Sequence, residues 1–179
     1  MKSLIKLSVV ALALLVATGS FSFAQDRGNK KARPSPNASI SQTIGTTVVS
    51  ITYGRPGLKG RKLEDLVPAN KVWRTGANES TAITFSDDVM IGDKAISAGT
   101  YSLYSMGNED TAYLIINSKL SWGTQYDESM DVARIQVPVS SDNPHVEWFT
   151  ISFDTLSDTQ AHLNLSWGAT VVSVPITVK

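Results

Sequence analysis

The sequence predicts an all-β fold: an antiparallel β-sandwich, jelly-roll-like, with two long loops and at most one short helical turn. Three observations carry that expectation. Apolar residues recur with a period of two from Ala38 to the C-terminus. Short turn signals built on Gly, Asn and Asp punctuate them. No stretch sustains a helical period.

Taken in order, Ile40 and Ile44 share one phase and Val49, Ile51 and Tyr53 share the other, with the switch at Gly45-Thr46, a tight turn or bulge. Ile83 and Phe85 mark the next strand. Val89 and Ile91 lead into Gly92-Asp93, a hairpin signal, and Ala95 and Ile96 follow. Residues 101–106 and 112–116 flank a polar turn at residues 107–110, and residues 132–139 and 146–153 are rich in β-branched and aromatic side chains. Ala161, Leu163, Leu165 and Trp167 make one face; after Gly168-Ala169, Val172, Val174, Ile176 and Val178 make another. Pro138 and Pro175 fall inside strand patterns, which predicts edge strands. The helical candidate is Leu63–Leu66, stopped by Pro68.

The N-terminus reads differently. Lys2 and Lys6 precede an apolar run at residues 7–17, and Ser22-Phe23-Ala24 offers small residues for cleavage. Residues 1–24 are therefore expected to be a secretory signal peptide, too short in its apolar run to anchor. Residues 25–37, without large apolar side chains and with Pro34 and Pro36, read as a flexible leader, and residues 38–179 as a single domain. The expected location is the periplasm or the medium. The chain has 0 Cys, which removes disulfides, thiol catalysis and lipid attachment through cysteine. Without Lys2 and Lys6 the 16 basic residues become 14 against 16 acidic ones, a net charge of −2. A near-neutral chain lacks the basic face that nucleic acid requires.

Two connections are too long for hairpin turns. Residues 55–80 carry Arg55, Lys59, Arg61, Lys62, Lys71 and Arg74 among glycines and close on Asn78 and Glu79. Residues 117–131 carry Trp122, Tyr126, Asp127 and Glu128. Both hold aromatic side chains that must be covered or stacked.

The segments "YGRPGLKGRKL", "VWRTGANESTAITF", "AGTYSLY" and "WGTQYDESMDVARI", in this order, resemble an exported bacterial family, the domain of unknown function 2911. The likeness runs roughly from Pro34 to Pro175. It implies a compact exported β-domain and supplies no activity. The positions it marks include Arg55, Lys59, Arg61, Trp73, Arg74, Asn78 and Glu79 in the first loop and Trp122, Tyr126, Asp127 and Asp131 in the second.

Of the chemistries, metal ligation finds little support. His145 and His162 are the only histidines, without ligand spacing, and no EF-hand pattern surrounds Asp127, Glu128 and Asp131, which read as a solvated acidic turn. No metal and no cofactor are expected. A serine nucleophile lacks its Gly-x-Ser-x-Gly elbow. Glu79 and Asp127 could make a carboxylate pair if the loops meet, or neutralise Arg74 and Arg55 structurally.

Binding uses more of the residues. Arg55, Lys59, Arg61 and Arg74 suit a planar anion, Trp73, Trp122 and Tyr126 offer ring faces, and Asn78 both donates and accepts. The same residues also suit a structural plug, rings closing the end of the fold and arginines pinning the loops. The sequence thus points to an exported, non-enzymatic binding module for a small anionic or carbohydrate ligand, or for a cell-envelope partner. Its ligand-binding candidates are Arg55, Lys59, Arg61, Trp73, Arg74, Asn78, Glu79, Trp122, Tyr126 and Asp127. The alternative is a metal-independent hydrolase or lyase acting on glycans through Glu79 or Asp127 with Tyr126 and Arg74. If the loops share a site, Arg74 must lie near Glu79 or Asp127, with Trp122 or Tyr126 alongside.

Overall fold

The computed structural model describes residues 32–108 and 110–179; the expected signal peptide and most of the leader lie outside the described residues. The elements in chain order are β1 (Asn37–Ile44), β2 (Thr47–Gly54), α1 (Leu63–Leu66), β3 (Thr81–Phe85), β4 (Val89–Ile91), β5 (Lys94–Ile96), β6 (Gly99–Gly107), β7 (Thr111–Asn117), β8 (Asp131–Ser140), β9 (Val146–Asp154), β10 (Gln160–Gly168) and β11 (Thr170–Thr177). A 3-10 turn, Glu128–Met130, precedes β8.

The turns fall where the local chemistry puts them. Gly45 and Gly92 adopt φ of 58° and 56° in the two-residue connections β1–β2 and β4–β5, a region closed to most side chains. The helical turn ends at Val67, whose N–H bonds Leu63 O at 2.8 Å, because Pro68 cannot continue it. The strand phases also hold: Val49, Ile51 and Tyr53 of β2 are buried while Val48 is exposed, and Ala161, Leu163, Leu165 and Trp167 of β10 all point into the core.

Every pairing is antiparallel, in the order β1-β2-β3-β6-β7-β8-β11-β10-β9, with the β4–β5 hairpin attached to the end of β11. In place of separate stacked sheets, the strands form one continuous path that nearly closes into a barrel. The core lies inside it and includes Ile51, Ile83, Leu114, Phe149, Leu163 and Val174. Among the described residues no helix is long and apolar enough to cross a membrane.

The path has two weak joins, and both involve segments that cannot extend a ladder. The β8–β11 join is limited to Val139–Val172 and Ser140–Val171. Pro138 and Pro175 flank it, and this corrects the expectation that prolines mark edges, because both strands have neighbours on both sides. Val139 N–H points toward β7, to Asp110 O at 3.1 Å, so the nitrogen of Pro138 points away from β7, where no donor is required. Pro175 pairs with His162 of β10, and its carbonyl accepts Gly92 N–H at 2.9 Å, between the part of β11 held by β8 and the part held by β4. Pro138 is tolerated because its nitrogen faces a gap in the ladder, and Pro175 because it stands just past the end of the β4–β11 ladder.

The second join closes β9 onto the chain leaving β2. Phe149 N–H bonds Pro56 O (2.8 Å) and Leu58 N–H bonds Glu147 O (3.0 Å), around a bridge between Gly57 and Trp148. Ile151 N–H, with no strand opposite, donates to the Tyr53 hydroxyl at 3.1 Å. Closure therefore depends on the first residues of the long loop.

Candidate functional site

Residues 55–80 divide into three parts with different surroundings. The first carries most of the cations. Arg55 donates from Nε to Phe149 O (3.0 Å) and from Nη2 to Thr150 Oγ1 (2.7 Å), tying β9 across the join. Arg61 turns back on its own loop, to Leu58 O and Gly57 O at 2.9 Å each. Lys59 reaches Pro34 O at 3.2 Å, and its Nζ lies 5.6 Å from the centre of the Trp148 ring. These three side chains direct their donors at carbonyls, a hydroxyl and an aromatic face. They do not assemble into a fork with Arg74.

The second part, from α1 to Trp73, lies over the open end of the barrel. Trp73 exchanges backbone bonds with Ser105 of β6 (2.7 and 2.9 Å) and so continues the sheet beyond the end of β3. Its ring stacks on Trp167 (centroids 5.5 Å, planes 17° apart) and meets Phe149 edge-on at 5.1 Å. Offset stacking and edge contacts suit the ring quadrupole, so each ring is fixed by the other two. Above them lies a cavity of about 500 Å³. Its inner wall is Trp73, Leu114, Phe149, Leu165 and Trp167, and its rim includes Leu63, Glu64, Asn108 and Ser141.

The third part, residues 74–80, docks on the second loop. Ala77 N–H bonds Gly54 O at 3.1 Å, an approach so close that a β-carbon on Gly54 would collide with the Ala77 carbonyl. From there the loops meet backbone to backbone: Gly123 N–H to Asn78 O (3.2 Å) and Ser80 N–H to Ser121 O (3.1 Å), with Glu79 bridged to Trp122. Arg74 lies over Gly123, where a β-carbon would strike its Cδ. Arg74, Asn78, Glu79 and Trp122 are thus brought together.

The partners differ from those expected. Glu79 is 6 % exposed. Arg33 holds both its oxygens, at 3.0 and 2.8 Å. Asn78 donates to Ser35 O at 3.3 Å and Arg55 N–H to Pro36 O at 2.8 Å, so residues 33–36 lie along the first loop.

Tyr126 and Asp127 belong to another network. The Tyr126 hydroxyl donates to Asp131 Oδ2 (2.6 Å) and accepts from Arg134 (2.8 Å), which also bonds Asp131 and Glu128. Burial, then the hydrogen bond to Asp131, pushes the Tyr126 phenol up to about 12. Asp127 accepts from the Ser129 hydroxyl (2.7 Å) and backbone (3.2 Å), and chiefly these bonds hold its carboxyl below the ordinary range. Lys119 stands 3.8 Å away. Among the described residues no three His, Asp or Glu side chains cluster to hold a metal ion.

Two buried polar atoms under the loop contact have no hydrogen-bond partner: Arg74 Nε and the Tyr104 hydroxyl. The bridge between Trp73 and Ser105 sets Arg74 opposite Tyr104 in register. Burial raises the Tyr104 phenol, and the nearby Ser121, Ser102 and Ser80 hydroxyls partly offset that.

The profile of the family described as "Protein of unknown function (DUF2911)" matches residues 35–176. The chain belongs to this family. No curated protein and no solved structure matches it. The DUF2911 span takes in both loops, the cavity and all of the barrel but the last residue of β11, and begins two residues after Arg33.

Sequence reasoning missed Arg33, Arg134 and Tyr104. Arg33 sits in a polar stretch whose only cue was Pro34, which favours an extended chain before it. Arg134 and Tyr104 are single residues in strand patterns; Arg134 takes its partners from the turn just before it, at Tyr126, Glu128 and Asp131, while Tyr104 is covered by residues far along the chain.

Proposed function

We propose that this chain is a non-enzymatic binding module whose ligand seats in the cavity at the barrel mouth. One observation carries the reading: a volume of about 500 Å³, within the range of small-molecule sites, open above the stacked rings of Trp73 and Trp167. The mouth of a β-barrel is a preferred place for such sites. The inner wall is apolar and aromatic, while polar groups such as Asn108, Ser141 and Glu64 stand at the rim. That lining suits a ligand with an apolar or ring-bearing body and one polar end, and suits a buried anion poorly.

The geometry favours this over a glycan-acting hydrolase or lyase. Glu79 is held on both oxygens by Arg33, and the Tyr126 phenol is kept protonated and bonded on both sides. Neither is poised to move a proton at neutral pH.

Val172, half-buried in the cavity lining, provides the test. A panel of fatty acids, aromatic acids and terpenoid alcohols is screened by thermal shift on the wild-type chain and on Val172→Trp, which fills the mouth. A ligand should raise the wild-type melting temperature and not that of Val172→Trp. Equal shifts in the two proteins, or none from the panel, would remove the cavity as the site.

Export is part of the same proposal, with cleavage after Ala24 and the mature chain in the periplasm or medium. The support is the residue pattern of positions 1–24. Mass spectrometry of the protein from its own host should find Gln25 first; an intact Met1 would overturn it.

A further inference from the structure

We infer that Arg74 is the anchor of an oxyanion site at the contact between the two loops, separate from the barrel cavity. The site would take a carboxylate or phosphate group whose attached body lies along the face of Trp122. Its starting point is an unpaired cation in a partly buried place. Arg74 is half-buried, its Nε is fully covered, and none of its nitrogens has a hydrogen bond or an acidic partner among the described residues.

The neighbouring charges sharpen the point. Glu79, the nearest carboxylate in sequence, is held on both oxygens by Arg33. Asp127 has Ser129 and Lys119 as partners. Arg33, Glu79 and Arg74 therefore leave one positive charge in excess. Elsewhere the fold engages its arginines: Arg55 and Arg61 on carbonyls, Arg134 on Asp131 and Glu128. Among the described residues Arg74 is the exception, and an Nε–H buried without a partner is costly.

Its geometry suits capture of an anion. The stem is pressed against Gly123, so the group is held in place before any ligand arrives, which reduces the ordering cost of binding. A guanidinium presents parallel donors that match a planar or tetrahedral oxyanion in bidentate fashion. Only Nε is fully buried, so the terminal nitrogens reach solvent and remain approachable. Trp122, next to Gly123, is 49 % exposed, unusually open for so large a ring, and supplies a flat apolar flank. A single bound water on Nε is the competing account, and it predicts no anion dependence.

The experiment compares the wild-type chain with Arg74→Gln, which keeps the stem and removes the charge. Melting temperatures are read in sodium phosphate, sodium acetate and sodium chloride at matched pH and ionic strength. The Arg Nε–H resonances are followed by NMR in the same titrations, so the wild type alone can answer if the variant folds poorly. Phosphate or acetate should raise the wild-type melting temperature above that in chloride, saturably, and shift the Arg74 Nε–H signal. In Arg74→Gln the affinity should fall roughly tenfold or more, the loss of a charge-assisted contact. Without added anion, Arg74→Gln should be as stable as the wild type or more so, since no pair is broken. Acetate acting alone would assign the site to carboxylates, and phosphate alone to phosphates. Equal anion effects in both proteins, or an unmoved Nε–H signal with no anion effect in the wild type, would overturn the inference.

Discussion

The barrel mouth and the loop contact are both built from residues 55–80, yet they use side chains in opposite ways. At the mouth, Trp73, Phe149 and Trp167 hold one another in place and leave a volume open above them. At the loop contact Arg33 takes up Glu79, in the adjoining network Tyr126 is held between Asp131 and Arg134, and among the described residues the Arg74 guanidinium is left over. The difference follows from the forces involved. Ring packing is non-directional enough to be completed by neighbours on one side, so a wall can face empty space. A buried polar group requires a partner on every donor, so the fold supplies one wherever it can.

The largest effect should come from the mouth. Phe149 is 2 % exposed and touches Tyr53, Trp73 and Trp167. Phe149→Ala should cost about 3–5 kcal/mol in urea unfolding, because the lost ring leaves a hole that joins an existing cavity. A cost below about 1 kcal/mol would show that the ring cluster does not hold the wall.

Breaking the polar side should cost less. Tyr126→Phe removes the bond to Asp131 and the one from Arg134, worth about 1–3 kcal/mol together at neutral pH. It should also change the pH profile. The folded-state phenol sits at about 12, against about 10 when unfolded, so the folded chain holds the proton more tightly. The contribution of this group is fully present below pH 10 and is lost as pH rises from 10 toward 12. Tyr104, also raised by burial, adds to the fall, so Tyr126→Phe should reduce the slope without abolishing it. An unchanged slope would mean that Tyr126 titrates as a free phenol.

Much of the candidate site was visible in the sequence as composition and little as geometry. The expectation that the loops meet rested on ring-bearing, charged segments needing cover, and Glu79 does bridge Trp122. The choice of ion-pair partners went differently because opposite charges are plentiful in both loops, and spacing along a chain does not say which carboxylate a guanidinium will face. Glu79 pairs with Arg33, which stands 46 positions away in a stretch that looked featureless. Trp73 was noticed for its ring; that the ring points into a cavity and not at Trp122 depends on its pairing with Ser105.

By itself the sequence determined the all-β class, the inward phase of β2, β3 and β10, the tight connections at Gly45 and Gly92, and the short α-helical turn at Leu63–Leu66. All are local: a period of two, a φ that favours glycine, a proline that stops a helix. Only the tertiary structure decided that the strands run in one nearly closed path, that residues 56–58 pair with β9, and that β8 and β11 part around Pro138 and Pro175. The cavity and the unpaired Arg74 come from that same closure. They are set by which distant backbones meet, and contacts of that kind leave no period in the chain for a reader to find.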